Sequence, residues 1–198
     1  SVYGNNPSVP FKETDNVDHP ISIYAATKKG NELMAFTYAH LYKLQTIGLR
    51  FFTVYGPFGR PDMAPMLFAN AIRNDETIRV FNNGDLSRDF TYIDDIVTGI
   101  EKIVTTPGVI REDVPGVPAT IYNIGHGSPV QLMDFVHLLE ENMGRVARKE
   151  FVGMQAGDVY RTWADTTRLK EDYDYTPYTS LETGIARFAR WFKEYYKK

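Results

Sequence analysis

Tyr24 and Lys28, in the run Ile23-Tyr24-Ala25-Ala26-Thr27-Lys28, have the types and spacing to move a proton. Residues four apart on a helix share a face, so a helix here sets a phenol beside an ammonium. A free phenol titrates at about 10 and is a poor base at neutral pH, whereas a neighbouring cation favours the phenolate. The same pair also fits an ordinary solvated helix face, and the surrounding segments must decide. There is no cysteine, which removes thiolate catalysis, Cys-ligated zinc and disulfides. His19, His40, His126 and His137 have no metal-ligand spacing, so no metal is expected. Asp94-Asp95 and Glu140-Glu141 point to different faces of their helices and read as solvent contacts.

The elements that would position the pair follow from caps and periodicity. Ser22 can cap a helix running to about Lys43. Leu33, Met34, Phe36, Tyr38, Ala39 and Leu41 make that helix apolar on two faces, more than one sheet contact requires. Residues 47–54 read as a buried parallel strand, with Thr53 at its C-terminal end, where open α/β sheets bind ligands. A Pro- and Gly-rich loop over 57–65 leads to a short helix over 65–73. Strands over 78–81 and 89–92 flank the Asn82-Asn83-Gly84-Asp85 turn. A helix over 94–104, a strand over 119–124 and a helix over 130–143 follow. In the last helix, over 180–196, Leu181, Ile185, Phe188, Phe192 and Tyr195 form a core stripe. The 198 residues are 43% hydrophobic and 14% aromatic, ample for a core. A net charge of −3 attracts no polyanion, so no nucleic acid partner is expected. No apolar run reaches the roughly 18 residues of a membrane span; no membrane partner is expected, and a cytoplasmic location is.

Ser1-Val2-Tyr3-Gly4, Val17-Asp18-His19-Pro20, the Tyr24 motif, Thr53 through Met63, Arg88 through Asp95, Tyr122-Asn123-Ile124-Gly125, Ser128-Pro129-Val130 and Gln155 through Val159 occur in this order. The ordered set resembles the extended short-chain dehydrogenases/reductases of the sugar-nucleotide epimerase and dehydratase group, and within it the UDP-glucuronate 4-epimerases. The resemblance implies an α/β fold: part of a Rossmann-like parallel sheet plus a smaller α/β substrate-binding domain. Residues 1–56 would belong to the NAD-binding domain and 57–198 mainly to the sugar-nucleotide domain, with about 89–125 returning to the first. It implies NAD as cofactor, a UDP-sugar as substrate and a homodimer through the Tyr24–Lys43 helix. The family's Gly-rich pyrophosphate turn has no counterpart here, since Gly56 with Gly59 and Gly125 with Gly127 have the wrong spacing. The chain therefore reads as the C-terminal portion of a longer enzyme, inactive by itself, with the family's catalytic Ser or Thr just before Ser1.

The resemblance also assigns roles. Tyr24 would take a proton from a sugar hydroxyl while NAD accepts the hydride, and Lys28 would lower the phenol's pKa and bind the nicotinamide ribose. Tyr55 is expected at the cofactor. Arg88 matches the family's pyrophosphate-binding arginine, and guanidinium forks suit phosphate oxygens. Gln155 stands where many relatives carry a second arginine and agrees with the glucuronate pattern; Asp158 is a ribose candidate. Thr53 and Arg60, across the Gly56-Pro57 turn, could hold a sugar carboxylate. Dehydratases place Asp and Glu just before the catalytic tyrosine, whereas Ile21, Ser22 and Ile23 stand there. UDP-glucose epimerisation and UDP-glucuronate decarboxylation stay open as alternatives, as does a non-catalytic fragment that only binds the nucleotide.

Overall fold

The computed structural model describes residues 1–106, 109–154 and 158–197. In chain order the first elements are α1 (Ile23–Tyr42), β1 (Thr46–Phe51), β2 (Thr53–Tyr55), α2 (Ala64–Asn74), β3 (Thr77–Val80), β4 (Ser87–Arg88) and β5 (Phe90–Tyr92). Then come α3 (Ile93–Thr105), β6 (Ala119–Ile124), β7 (Val130–Gln131), α4 (Leu132–Met143), β8 (Arg148–Phe151), α5 (Thr167–Tyr173) and α6 (Leu181–Tyr195). Ser22 caps α1 as its sequence predicts, accepting the Ala25 N–H at 3.1 Å. Lys43 closes the helix in the left-handed region, with φ 55°.

Among the described residues, three of the four strand pairs are parallel: β1 with β6, β2 with β5, and β3 with β8. The strand expected over 47–54 is in fact two. The Phe52 N–H still donates to the Ile124 carbonyl at 3.1 Å, but the Thr53 N–H turns to the Asp89 carbonyl at 3.1 Å. Thr53 therefore opens β2 instead of closing β1, and it lies where the chain passes from one pair of strands to the other. The expected hairpin around residues 82–85 does not form. Asn82, Asn83 and Gly84 all take positive φ, at 48°, 51° and 84°, and this compact turn sends β3 and β5 to separate partners.

Two main cores result. Ile96, Tyr122, Ile124, Leu169, Tyr173 and Tyr175 pack around the β1–β6 pair. The larger one joins α2, α4 and α6 to β2, β3 and β5, and Phe135, Leu139, Ile185, Phe188 and Phe192 in it are fully buried. Each such side chain stabilises the fold by roughly 1.5–3 kcal/mol. Besides residues 93–105 and 119–124, α5 also packs on the β1–β6 core, whereas Phe90 and Tyr92 pack in the other.

One member of each acidic pair departs from expectation. Asp95 is 1% exposed and accepts the N–H groups of Tyr178 and Thr179, each at 3.2 Å, and the Thr179 hydroxyl at 3.1 Å. Buried Glu140 accepts the Ala147 N–H at 2.7 Å and pairs with Lys149. Each carboxylate ties a helix to a following loop, because buried backbone N–H groups need an acceptor. Helix α1 meets the sheet only lightly. Ala25 and Ala39 are its buried residues, while Leu33, Met34, Tyr38 and Leu41 are 57–61% exposed.

Candidate active site

The Lys28 ammonium stands 5.2 Å from the centroid of the Tyr24 ring, over its face. Tyr24 is 55% exposed, so the pair is open to a ligand. One turn further along α1, Glu32 fixes the helix to the sheet. Arg50 of β1 donates to its two carboxylate oxygens at 2.8 and 3.0 Å and to the Tyr3 hydroxyl at 3.0 Å. Tyr3 in turn donates to Asn123 Oδ1 of β6 at 2.5 Å. Burial pushes the Tyr3 phenol up to about 12 against the pull of Arg50. This network sets the register of α1 on β1 and β6, and hence where Tyr24 points.

Arg60 lies on the loop between β2 and α2. Its guanidinium is held bidentately by Asp62, at 3.1 and 2.5 Å, and both side chains are largely exposed. Asp62 keeps the Arg60 pKa above its ordinary value, with a smaller electrostatic contribution from Tyr24. Thr53, seven residues before Arg60, is half-buried and paired through β2 with Phe90, next to the Arg88-Asp89 segment.

Arg88 is mostly buried in β4. It donates to Asp158 Oδ1 at 2.7 Å and to the carbonyls of Ser87 and Tyr160 at 3.0 and 3.2 Å. Burial lowers its pKa, with Asp158 opposing. Beside it opens a cleft of about 700 Å³ whose lining includes Asn5, Ser87, Gln131, Asp158, Tyr160 and Arg161, a size that suits a small-molecule ligand. Asp158 thus faces the cleft while holding Arg88. Gln155 lies outside the described residues. Tyr55, expected at the cofactor, is 3% exposed; its ring meets Phe90, Tyr92 and Phe135 edge-on, and its hydroxyl stands where a Cβ on Gly184 would come within 2.0 Å. Glycine at 184 lets α6 approach this ring.

Two features escape sequence reasoning. Asp89 is fully buried, and its carboxylate accepts the N–H groups of His126, Gly127 and Ala164 at 2.8, 3.0 and 2.9 Å. It knots β5, the turn after β6 and the segment after the cleft directly beneath Arg88. Tyr160 and Arg161 also line the cleft; their sequence signal is an aromatic and a cation two and three residues past Asp158. A second hollow, about 350 Å³, is lined by Arg73, Arg145, Lys193 and Lys197. Arg145 and Lys193 there donate to the carbonyls of Arg73 and Asn142 at 3.1 and 3.0 Å, which is how cations cap helix C-termini.

Residues 1–125 match the family described as "NAD dependent epimerase/dehydratase family". The chain belongs to that family. Protein CapI of Staphylococcus aureus is 51% identical over 207 residues, covering 100% of this chain and 62% of that protein. A probable UDP-glucuronate 4-epimerase of Rhizobium meliloti is 45% identical, covering 100% of this chain and 61% of that protein. A crystal structure of UDP-glucuronic acid 4-epimerase from Bacillus cereus, in complex with UDP-glucuronic acid and NAD, superposes with a TM-score of 0.87 at 30% identity. It matches 99% of this chain, which covers 60% of that one. This family member thus spans about three fifths of the length of these relatives, with their mixed α/β, Rossmann-like architecture.

Proposed function

We propose that the full-length protein is an NAD-dependent 4-epimerase that converts UDP-glucuronate to UDP-galacturonate through a 4-keto sugar. The observation that carries this is the Tyr24–Lys28 pair, the ammonium 5.2 Å from the ring centroid on an accessible face of α1, with Arg60 on the exposed loop after β2. In a glucuronate the carboxylate is borne by the carbon next to C4, so a base at the 4-hydroxyl and a cation for the carboxylate must be neighbours.

The residues present fit the nicotinamide end of the cofactor: Tyr24 and Lys28 stand together on an accessible face of α1. When bound, NAD supplies two-electron oxidation by taking a hydride from C4. The chain's own groups do the rest. Tyr24 accepts the proton of the 4-hydroxyl, with the Lys28 charge stabilising the phenolate, and returns it to the 4-oxygen after the sugar has turned over. Arg88, with Asp158 beside it, meets the pyrophosphate and ribose at the cleft; the resemblance also gives Gln155, which lies outside the described residues, a role in binding the nucleotide. Arg60 and Thr53 clamp the carboxylate. Their hold has a second purpose: a 4-keto glucuronate is a β-keto acid, and it loses carbon dioxide when its carboxylate bond aligns with the carbonyl π system. The enzyme acts as a homodimer in the cytoplasm, with the exposed apolar face of α1 at the dimer interface.

The Arg60–Asp62 pair favours one rival. An arginine already neutralised by a carboxylate suits a neutral hexose, hence UDP-glucose. Arg60→Met separates the two. With its charge-assisted bond to the carboxylate lost, the variant should lose roughly tenfold or more in kcat/KM for UDP-glucuronate and little for UDP-glucose. A trace of decarboxylated pentose product should accompany the loss. Equal effects on both sugars would return Arg60 to the role of loop anchor.

A further inference from the structure

Six described non-glycine residues have positive φ: Lys43, Phe58, Asp75, Asn82, Asn83 and Asp174. Lys43, Asp75 and Asp174 close helices, and the two asparagines form the turn after β3. Phe58, at φ 57°, is bulky and has neither reason. Such a conformation persists only where the surroundings impose it. The residue is 77% exposed, so burial in the core does not impose it. Instead the ring lies 5.0 Å, centroid to centroid, from Trp191 and 5.7 Å from Tyr195. Those two rings stack on each other at 5.2 Å, one turn apart on α6.

The loop that carries Arg60 is thus held at three places. Gly56 is wedged against Ile93, where an added Cβ would come within 2.5 Å. The Met63 N–H donates to the Arg60 carbonyl at 3.2 Å. Between these, two residues before Arg60, the tie is the Phe58 ring on α6. We propose that Phe58, Trp191 and Tyr195 form an aromatic platform that positions Arg60, making the C-terminal helix a determinant of specificity for an acidic sugar. This rests on Arg60 holding the sugar carboxylate, as above.

Steady-state kinetics of the full-length enzyme test it, with Phe58→Gly, Trp191→Ala, Trp191→Phe and Arg60→Met compared on UDP-glucuronate and UDP-glucose. Glycine relieves the positive φ, so Phe58→Gly should fold at least as well as the parent even if Trp191→Ala does not. Its KM for UDP-glucuronate should nevertheless rise about tenfold, the scale of a lost aromatic contact, while kcat and the KM for UDP-glucose hold. Trp191→Ala should do the same, and Trp191→Phe should keep most of the selectivity. If Arg60→Met is selective but Phe58→Gly is silent, or raises both KM values equally, the platform is refuted and the role of Arg60 survives. If Arg60→Met itself shows no selectivity, the carboxylate reading falls and takes the platform with it.

Discussion

Replacing Asp89 by asparagine probes the knot under the cleft. The Asp89 side chain accepts three backbone N–H groups, one at Oδ1 and two at Oδ2. An amide can turn its oxygen to Gly127 and Ala164, but its NH2 then faces the His126 N–H. One buried donor loses its acceptor at about 1–3 kcal/mol, and two charge-assisted bonds become neutral ones at roughly 1 kcal/mol each. Part of this is returned, because burial of the charge already pushes the Asp89 carboxyl up. The net loss should be about 2–3 kcal/mol. With a urea slope of about 2 kcal/mol/M, the midpoint should fall by about 1 M. Trp163 reports on the site directly, since its indole N–H donates to the Gly127 carbonyl at 2.9 Å; its fluorescence during urea unfolding is the assay. A loss under about 0.5 kcal/mol, the range of an ordinary surface change, would refute the knot.

Other expectations follow from the same geometry. Asp172 accepts two guanidinium bonds from Arg111, at 2.6 and 2.7 Å, and the Tyr122 hydroxyl at 2.6 Å, and Arg111 foremost lowers its pKa. Its stabilisation is therefore present above the unfolded value of about 4 and is lost as pH falls through the folded one; Asp172→Asn should be less stable at pH 7, with the gap closing in acid denaturation curves. Light scattering of the full-length protein at micromolar concentration should give twice the monomer mass, since Leu33, Met34, Tyr38 and Leu41 expose a broad apolar face on α1; a monomer would leave that face unexplained. The 198 residues by themselves should bind UDP in calorimetry yet show no turnover of UDP-glucuronate with NAD, and turnover would contradict the need for a Gly-rich turn.

Much of this was legible in sequence because it is local. The Ser22 cap, the Tyr24-Lys28 spacing and the apolar stripe of α6 depend on residues within a few positions of each other. That stripe also shows the limit: Ile185, Phe188 and Phe192 are fully buried, but Tyr195 is 56% exposed and serves the loop instead. Nothing within α6 distinguishes it, because the deciding partner is Phe58. The burial of Tyr55 is hidden for a like reason, as its surroundings come from Phe90, Phe135 and Gly184. Asp89 and Asp95 look like solvated carboxylates until the segments that supply their N–H donors, up to 84 positions away, are brought beside them. Strand boundaries failed at Phe52 because the switch from Ile124 to Asp89 as acceptor is a choice of partner, which the strand's own residues do not encode.

We propose above all that a Tyr24-based proton transfer epimerises an acidic uridine sugar. Incubation of the full-length enzyme with UDP-glucuronate and NAD, followed by proton NMR of the sugar, tests it directly. UDP-galacturonate should accumulate to equilibrium, Tyr24→Phe should abolish this while leaving nucleotide binding nearly intact, and UDP-glucose should turn over poorly. Efficient epimerisation of UDP-glucose without reaction of UDP-glucuronate, or unimpaired turnover by Tyr24→Phe, would contradict it.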